Sequence, residues 1–296
     1  MKYIVASTAV TDEIHFADGK RVETVAGGAG VYALCGIKLW SDDVMLVTGV
    51  GADFPSIYGG WYKNNNISMD GFIEKDAKTP HTVIQYFADG EREEMPRYGA
   101  EHYKKIETVP EDLKPYFETA SGIYIFKNSN PDFWKEIIKY KENSNSKVMW
   151  EIGCDATYPE NYENVKKIAR HMDIFSINLT ESKHMMKKDN IEEIIKEYQD
   201  FQIPLVFLRR GAEGAIMITP DEAIIVPSQK NVKVVDPTGG GNSSSGAVLY
   251  GFCEGYSPLI CGKMGSISAA MCISQYGVPN RITSEMRQEA MQNAER

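Results

Sequence analysis

Short apolar runs alternate with amphipathic stretches along most of the chain. YIVAS, VMLVTGVG, GIYIFKN, KVMWEIG, DIFSIN and IPLVFLRRG are short, mostly apolar runs of the kind that fill a buried strand. Between them, PSIYGGWYKNNN, PDFWKEIIKYKEN, ENYENVKKIARHM and IEEIIKEYQDF carry apolar residues at helical spacing. Pro131 suits a first helical turn, because the amide it lacks has no helical partner there. Strands alternating with helices in this way predict a doubly wound, mostly parallel α/β sheet flanked by helices. Right-handed crossovers then place ligand-binding loops at the C-terminal ends of the strands.

Two segments break the rhythm. EIHFADGKRVET and TVIQYFADGEREEM each set alternating residues around an Asp-Gly pair (Asp18-Gly19 and Asp89-Gly90), a hairpin signal. They predict a small β-sheet within about 11–25 and 80–98, standing off the main body as a lid or a dimer surface. After DEAIIVP come the loop KVVDPTGGGN and the helix SSSGAVLYGFCEG. PLICGKMGSISAAMCISQYG and SEMRQEAMQNAER follow as two more helices. No repeat or linker divides the chain, so residues 1–296 read as one domain.

Composition narrows the function classes. The chain is 43% apolar and 25% charged, with a net charge of -9 and no basic run, which argues against a nucleic-acid binder. Anionic groups must then be captured by local dipoles, a few cationic side chains or a metal. Five scattered cysteines without C-x-x-C spacing read as reduced thiols in the core. No stretch approaches the roughly 20 apolar residues of a membrane span, and MKYIVASTAV is too short for a signal peptide, so no membrane partner and a cytoplasmic location are expected.

DPTGGGNSSSG is the segment with the most chemistry in it. Three glycines at the start of a helix free the backbone to aim amides at an anion, at the positive end of the helix dipole. GGAGVYA contains G-x-G-x-x-A at Gly28, Gly30 and Ala33, but a hairpin rather than a strand precedes it, which disfavours a dinucleotide fold. It reads instead as a glycine-rich floor for a polar ligand, with Asp12 near it in sequence, or as a tight turn into a helix over 30–40.

GGAGVYA, TGVGADF, NLTE, LRRGAEGA and DPTGGGN occur in the order and spacing of the PfkB-type carbohydrate kinases, which the chain resembles over nearly its whole length. The resemblance implies a ribokinase-like fold with a β lid. It also implies transfer of the γ-phosphoryl group of ATP, with Mg²⁺, to a hydroxyl of a sugar, nucleoside or related small molecule, a monovalent cation being a further candidate. By the same resemblance Asp12, Gly27, Gly28 and Gly30 hold substrate, with Tyr32 in the first signature, and Gly51 and Asp53 match a G-x-D motif. Asn178 and Glu181 order Mg²⁺, water and phosphate, Glu181 being the metal-side residue. Gly211 and Gly214, with Arg210, Thr238 and Gly240, are expected to bind the nucleotide, and Asp236, Thr238, Gly239 and Gly241 match the anion hole, with Asp236, Gly239 and Gly241 joining position 242 as the catalytic set. A homodimer through the lid is compatible with such a sheet.

Three departures matter. Asn242 stands where the family has a catalytic Asp, Ser244 where an aromatic is usual, and Tyr32 where an Asn is usual. Arg209 and Arg210 are able to reach phosphate oxygens bidentately or to pair with surface acids. Three readings follow: a kinase whose base is weak or displaced, with Asp12 the other acceptor; a silent ligand- and nucleotide-binding relative that regulates a partner; or an Asp-to-Asn change made to trap substrate. A carboxylate restored at 242 is expected to raise transfer by about 10² or more.

Overall fold

The structure, a computed structural model, describes residues 1–19, 22–88 and 92–295. Thirteen strands are found among them: β1 (Tyr3–Ala6), β2 (Val10–His15), β3 (Val22–Gly27), β4 (Val44–Gly51), β5 (Phe72–Asp76), β6 (His81–Tyr86), β7 (Arg92–Pro96), β8 (Gly122–Lys127), β9 (Lys147–Ile152), β10 (Ile174–Asn178), β11 (Leu205–Arg209), β12 (Ala215–Ile218) and β13 (Ala223–Val226). Nine of them form one sheet in the order β13-β12-β11-β10-β9-β8-β1-β4-β5. From β11 to β5 every pairing is parallel, and β12 and β13 close one edge as antiparallel strands.

Both faces of this sheet are buried, which is why its strands read as continuous apolar runs. Alternation along β1 shows the two sides: Tyr3 and Val5 enter one core cluster, Ile4 and Ala6 the other. The first face carries the helices Ala29–Lys38, Gly240–Cys253 and Pro258–Cys272. Gly36 and Gly246 allow the first two to touch, since a Cβ at either would overlap backbone of the other helix. The second face is covered by the helices Pro131–Glu142, Tyr162–Ala169, Leu179–Met186 and Ile191–Asp200.

The two hairpins join into a four-stranded sheet, β3-β2-β6-β7, through parallel pairing of β2 with β6. Asp89 and Gly90, the second expected turn, lie outside the described residues. The lid rests on the body at defined points. Phe16 meets Tyr276 edge-on at 4.7 Å, the Tyr86 hydroxyl donates to Asp236 Oδ1 at 3.0 Å, and Tyr58 donates to the Val25 carbonyl at 2.9 Å.

Some elements differ from the sequence reading. The helix expected over ENYENVKKIARHM holds only for Tyr162–Ala169, because Pro159 starts a 3₁₀ turn ahead of it. Strand β5 and the helix Ala100–Ile106 did not stand out: both are short, and polar residues interrupt their apolar pattern. All five cysteines are unpaired, and burial pushes the Cys261 and Cys272 thiols up to about 12. Cys154 is exposed, against the expectation of a core position.

Candidate active site

The carboxyl ends of β9 to β11 bring Glu151, Asn178 and Arg209 onto one face of the sheet, the face that carries the helix Gly240–Cys253. Gly239 precedes this helix with φ +76°, a left-handed conformation, and a Cβ on it would overlap the Tyr32 ring. The first-turn amides have no acceptor within the helix and lie at the positive end of its dipole. Asp236 is buried and shapes the approach: its Oδ1 accepts from the Thr238 amide at 2.9 Å, the Thr238 hydroxyl at 2.6 Å and the lid's Tyr86.

Two cavities meet at this segment. One, of about 640 Å³, lies beneath the lid and is lined by Asp12, Gly28, Tyr32, Tyr103, Gly239 and Asn242, among others. The second, of about 510 Å³, lies between the loop and the β11–β12 turn, and includes Arg209, Gly211, Gly214, Gly240, Gly241 and Ser244. Thr238, expected on the nucleotide side, lines the first cavity instead. Gly27 and Gly30 shape rather than line it. A Cβ at Gly27 would overlap the Asp12 carboxylate, and one at Gly30 would come within 2.7 Å of the Thr8 carbonyl. Asp12 is 5% exposed, and with Asp236 it adds to the burial that raises the Tyr32 phenol above its ordinary range. Gly51 and Asp53 serve the lid's root: the Gly51 amide donates to the Thr79 hydroxyl at 3.1 Å, and the Thr79 amide to Asp53 Oδ1 at 2.8 Å.

Arg209 and Arg210 part ways, as successive residues at a strand end do. Arg210 Nη1 lies 3.2 Å from Glu213, an exposed partner, and stays out of the cavity lining. Arg209 turns inward; its Nη1 lies 3.0 Å from Glu151 Oε1 and so close to Gly241 that a Cβ there would overlap it. The Nε atoms of Arg209 and Arg210 are both buried without a hydrogen-bond partner among the described residues, and of the two only Arg209 lines the cavity, where it is a donor for an incoming anion. Asn178 and Glu181 form a reciprocal cap on the helix Leu179–Met186. The Glu181 amide donates to Asn178 Oδ1 at 2.8 Å, and the Asn178 amide to Glu181 Oε2 at 3.1 Å. Burial raises the Glu181 carboxyl above its ordinary range, although the Asn178 amide and Arg209 pull the other way.

Asn242 does not stand alone. Its Nδ2 donates to Glu151 Oε1 at 3.0 Å and to the Tyr124 hydroxyl at 3.3 Å, and Tyr124 in turn donates to Glu151 Oε2 at 2.9 Å. Glu151, 1% exposed, was missed by motif reading. The signal was present: KVMWEIG is an apolar buried strand with one acid inside it, and a buried carboxylate requires partners.

The profile of the pfkB family carbohydrate kinases matches residues 3–284. The chain belongs to that family. Its relatives include a nucleoside kinase of Methanocaldococcus jannaschii, 27% identical over 85% of this chain and 80% of that protein. A protein of Schizosaccharomyces pombe without an assigned activity is 26% identical over 94% of this chain and 86% of its own. In three dimensions the crystal structure of the M. jannaschii nucleoside kinase, titled as an archaeal member of the ribokinase family, superposes with TM-score 0.78. That match has 21% identity and covers 100% of this chain and 98% of that one. The fold expected from the motifs, a mostly parallel ribokinase-like sheet with a small second sheet, is the fold present. No helix among the described residues is long and apolar enough to cross a membrane.

Proposed function

We propose that this chain transfers the γ-phosphoryl group of ATP to a hydroxyl of a nucleoside or sugar, with the acceptor in the cavity under the lid and the nucleotide in the cavity beside β11. The observation that carries the reading is the meeting of the two cavities at residues 239–242: Gly239 and Asn242 line one, Gly240 and Gly241 the other. The acceptor wall offers a buried carboxylate, Asp12, and the rings of Tyr32 and Tyr103, groups suited to a hydroxylated ring. The names of relatives, nucleoside kinase and cytidine kinase among them, agree with such an acceptor.

The chemistry asked of the protein is mostly positioning and charge stabilisation. The acceptor oxygen forms its bond to Pγ while the bond from Pγ to the bridging oxygen breaks, its electron pair leaving on ADP. An amide takes no proton at neutral pH, so Asn242 serves as a hydrogen-bond partner of the acceptor hydroxyl. The hydroxyl proton passes to the anionic oxygens of the transferred group and from there to solvent. Arg209 and the first-turn amides face the charge that accumulates on the phosphates. Among the described residues no three acidic, His or Cys side chains gather to hold a metal by themselves. That fits an ion carried in by the nucleotide and approached by Glu181; Mg²⁺ bound in this way neutralises phosphate charge.

Calorimetry with Mg²⁺–ATP and Mg²⁺–ADP, followed by ADP release with a panel of nucleosides and sugars, tests the reading. Saturable nucleotide binding and turnover of at least one acceptor are expected. Absence of nucleotide binding by the unaltered chain sinks it; binding without transfer to any acceptor favours the silent relative.

A further inference from the structure

Residue 242 is surrounded by groups that need a donor. Glu151 is a carboxylate and accepts only; the Tyr124 hydroxyl spends its proton on Glu151 Oε2 and so also presents an acceptor to residue 242. Only the nitrogen of the Asn242 amide satisfies both. This fixes the amide's orientation by chemistry: with Nδ2 held inward, Oδ1 is the atom left for the cavity that Asn242 lines. The same carboxylate oxygen, Glu151 Oε1, holds the Arg209 guanidinium 3.0 Å away, beside Gly241. One buried acid therefore sets both the group that meets the acceptor hydroxyl and the cation that faces the phosphates.

We propose that Glu151 is a positioning residue for phosphoryl transfer and that the site is built for Asn, not Asp, at 242. The negative charge found elsewhere in this family at the helix start resides here one layer deeper, at the end of β9. It acts through the Asn242 amide, which it polarises by accepting its N–H, and through Arg209. An Asp at 242 has no donor for Glu151 and sets two carboxylates within hydrogen-bond reach of each other in a buried place. The gain of about 10² expected from position 242 taken alone is therefore not expected in this chain. A trapping substitution also leaves unexplained why two acceptors stand ready for an amide nitrogen.

This proposal rests on the kinase reading above. The test measures kcat and KM for the best acceptor in the unaltered protein, Glu151→Gln, Asn242→Asp and the double variant Glu151→Gln/Asn242→Asp. Thermal unfolding of each variant identifies any that fails to fold. Glu151→Gln is expected to lower kcat by about tenfold or more with acceptor KM within about threefold, the pattern of a lost transition-state arrangement rather than lost binding. Asn242→Asp alone is expected to lower kcat as well. In the double variant the amide introduced at 151 donates to the carboxylate introduced at 242, and the pair again holds a single carboxylate. Its kcat is therefore expected to recover to well above that of either single variant. The double variant also keeps the test open if Glu151→Gln alone does not fold.

Three results overturn the proposal: Glu151→Gln within about threefold of the unaltered kcat, a rise of tenfold or more in Asn242→Asp alone, or a double variant no better than the singles. An unaltered chain that transfers phosphate to no acceptor removes the kinase reading and this proposal with it. That outcome is distinct from an active chain indifferent to Glu151.

Discussion

The two cavities that share residues 239–242 have different walls. Beside β11, the proposed nucleotide side, the wall combines Gly211, Gly214, Gly240 and Gly241 with apolar residues such as Phe207, Val226 and Ile273, and Arg209 is its charged side chain. Under the lid, beside Gly28 and Gly239, it carries more polar and charged residues: Asp12, Tyr32, Thr82, Glu94, Tyr103 and Lys104 come from several separate segments. Backbone amides recognise any phosphate chain of the right shape, whereas a set of side chains recognises one pattern of hydroxyls and rings. The difference teaches where specificity resides. On the proposed reading, discrimination between acceptors falls to the cavity that carries Asp12, Glu94 and Lys104.

The sharpest way to break the comparison is to damage each wall separately. Asp12→Ala removes a buried charged acceptor, so acceptor KM is expected to rise by roughly 10- to 150-fold, the worth of a hydrogen bond to a charged group. Nucleotide affinity, read by calorimetry, should stay within about twofold. Gly241→Val should do the reverse, because its side chain displaces Arg209 and crowds the phosphates. Equal losses of both ligands in either variant contradict two separately built walls.

A smaller effect tests the charge at the edge of the nucleotide side. Burial raises the Glu181 carboxyl above its ordinary range. If its anion is the form that approaches Mg²⁺, kcat climbs with pH through that raised value, and protonation below it silences the step. Glu181→Gln is expected to lower kcat by about tenfold and to erase this acidic limb. A limb that persists unchanged in the variant belongs to another group.

The smallest effect is a control outside both cavities. Asp42 binds Arg287 and Lys38, tying the C-terminal helix Ser284–Glu295 to the helix Ala29–Lys38. Hydrogen bonds from Arg287 and then Lys38 hold its carboxyl well below the usual carboxylate range. The stability it contributes is thus full above the ordinary carboxylate pKa and is lost as pH falls through the depressed value. Its side chain is 66% exposed, so Asp42→Asn should cost about 0.5 kcal/mol or less near neutral pH. Unfolding midpoints against pH should show the variant and the parent converging in acid, while kcat and both ligand affinities stay unchanged.

The same contrast governs what the sequence disclosed. Gly239, Gly241 and Gly214 are readable because one residue type meets one backbone demand, and they cluster in recognisable motifs. The parallel sheet was readable because strands buried on both faces are apolar throughout. Tyr103 and Lys104 were not: nothing in a single sequence says that a segment after the second hairpin returns to this cavity. Arg209 and Arg210 are equivalent on paper, and only the strand's pleat separates the one that meets Glu151 from the one that meets Glu213. Glu151 carried a signal that motif matching passed over, an acid within an apolar strand. Asn242 looked like a loss because its partner lies 91 residues away.

The lid is joined across a long stretch of chain. Strands β2 and β6 pair in parallel from Thr11 with His81 to His15 with Gln85, and the intervening chain supplies β3, β4 and β5. A parallel pair of that separation gains nothing until the intervening strands have found their places, because loop-closure entropy must be overcome first. Its own core is small: Ile14, Phe16 and Ile84, with Val25, Tyr86 and Tyr276 against them. This sheet is thus expected to assemble late and open early. Its amides should exchange with solvent far sooner than those of β1 or β9, so that the acceptor cavity breathes on a body that remains folded.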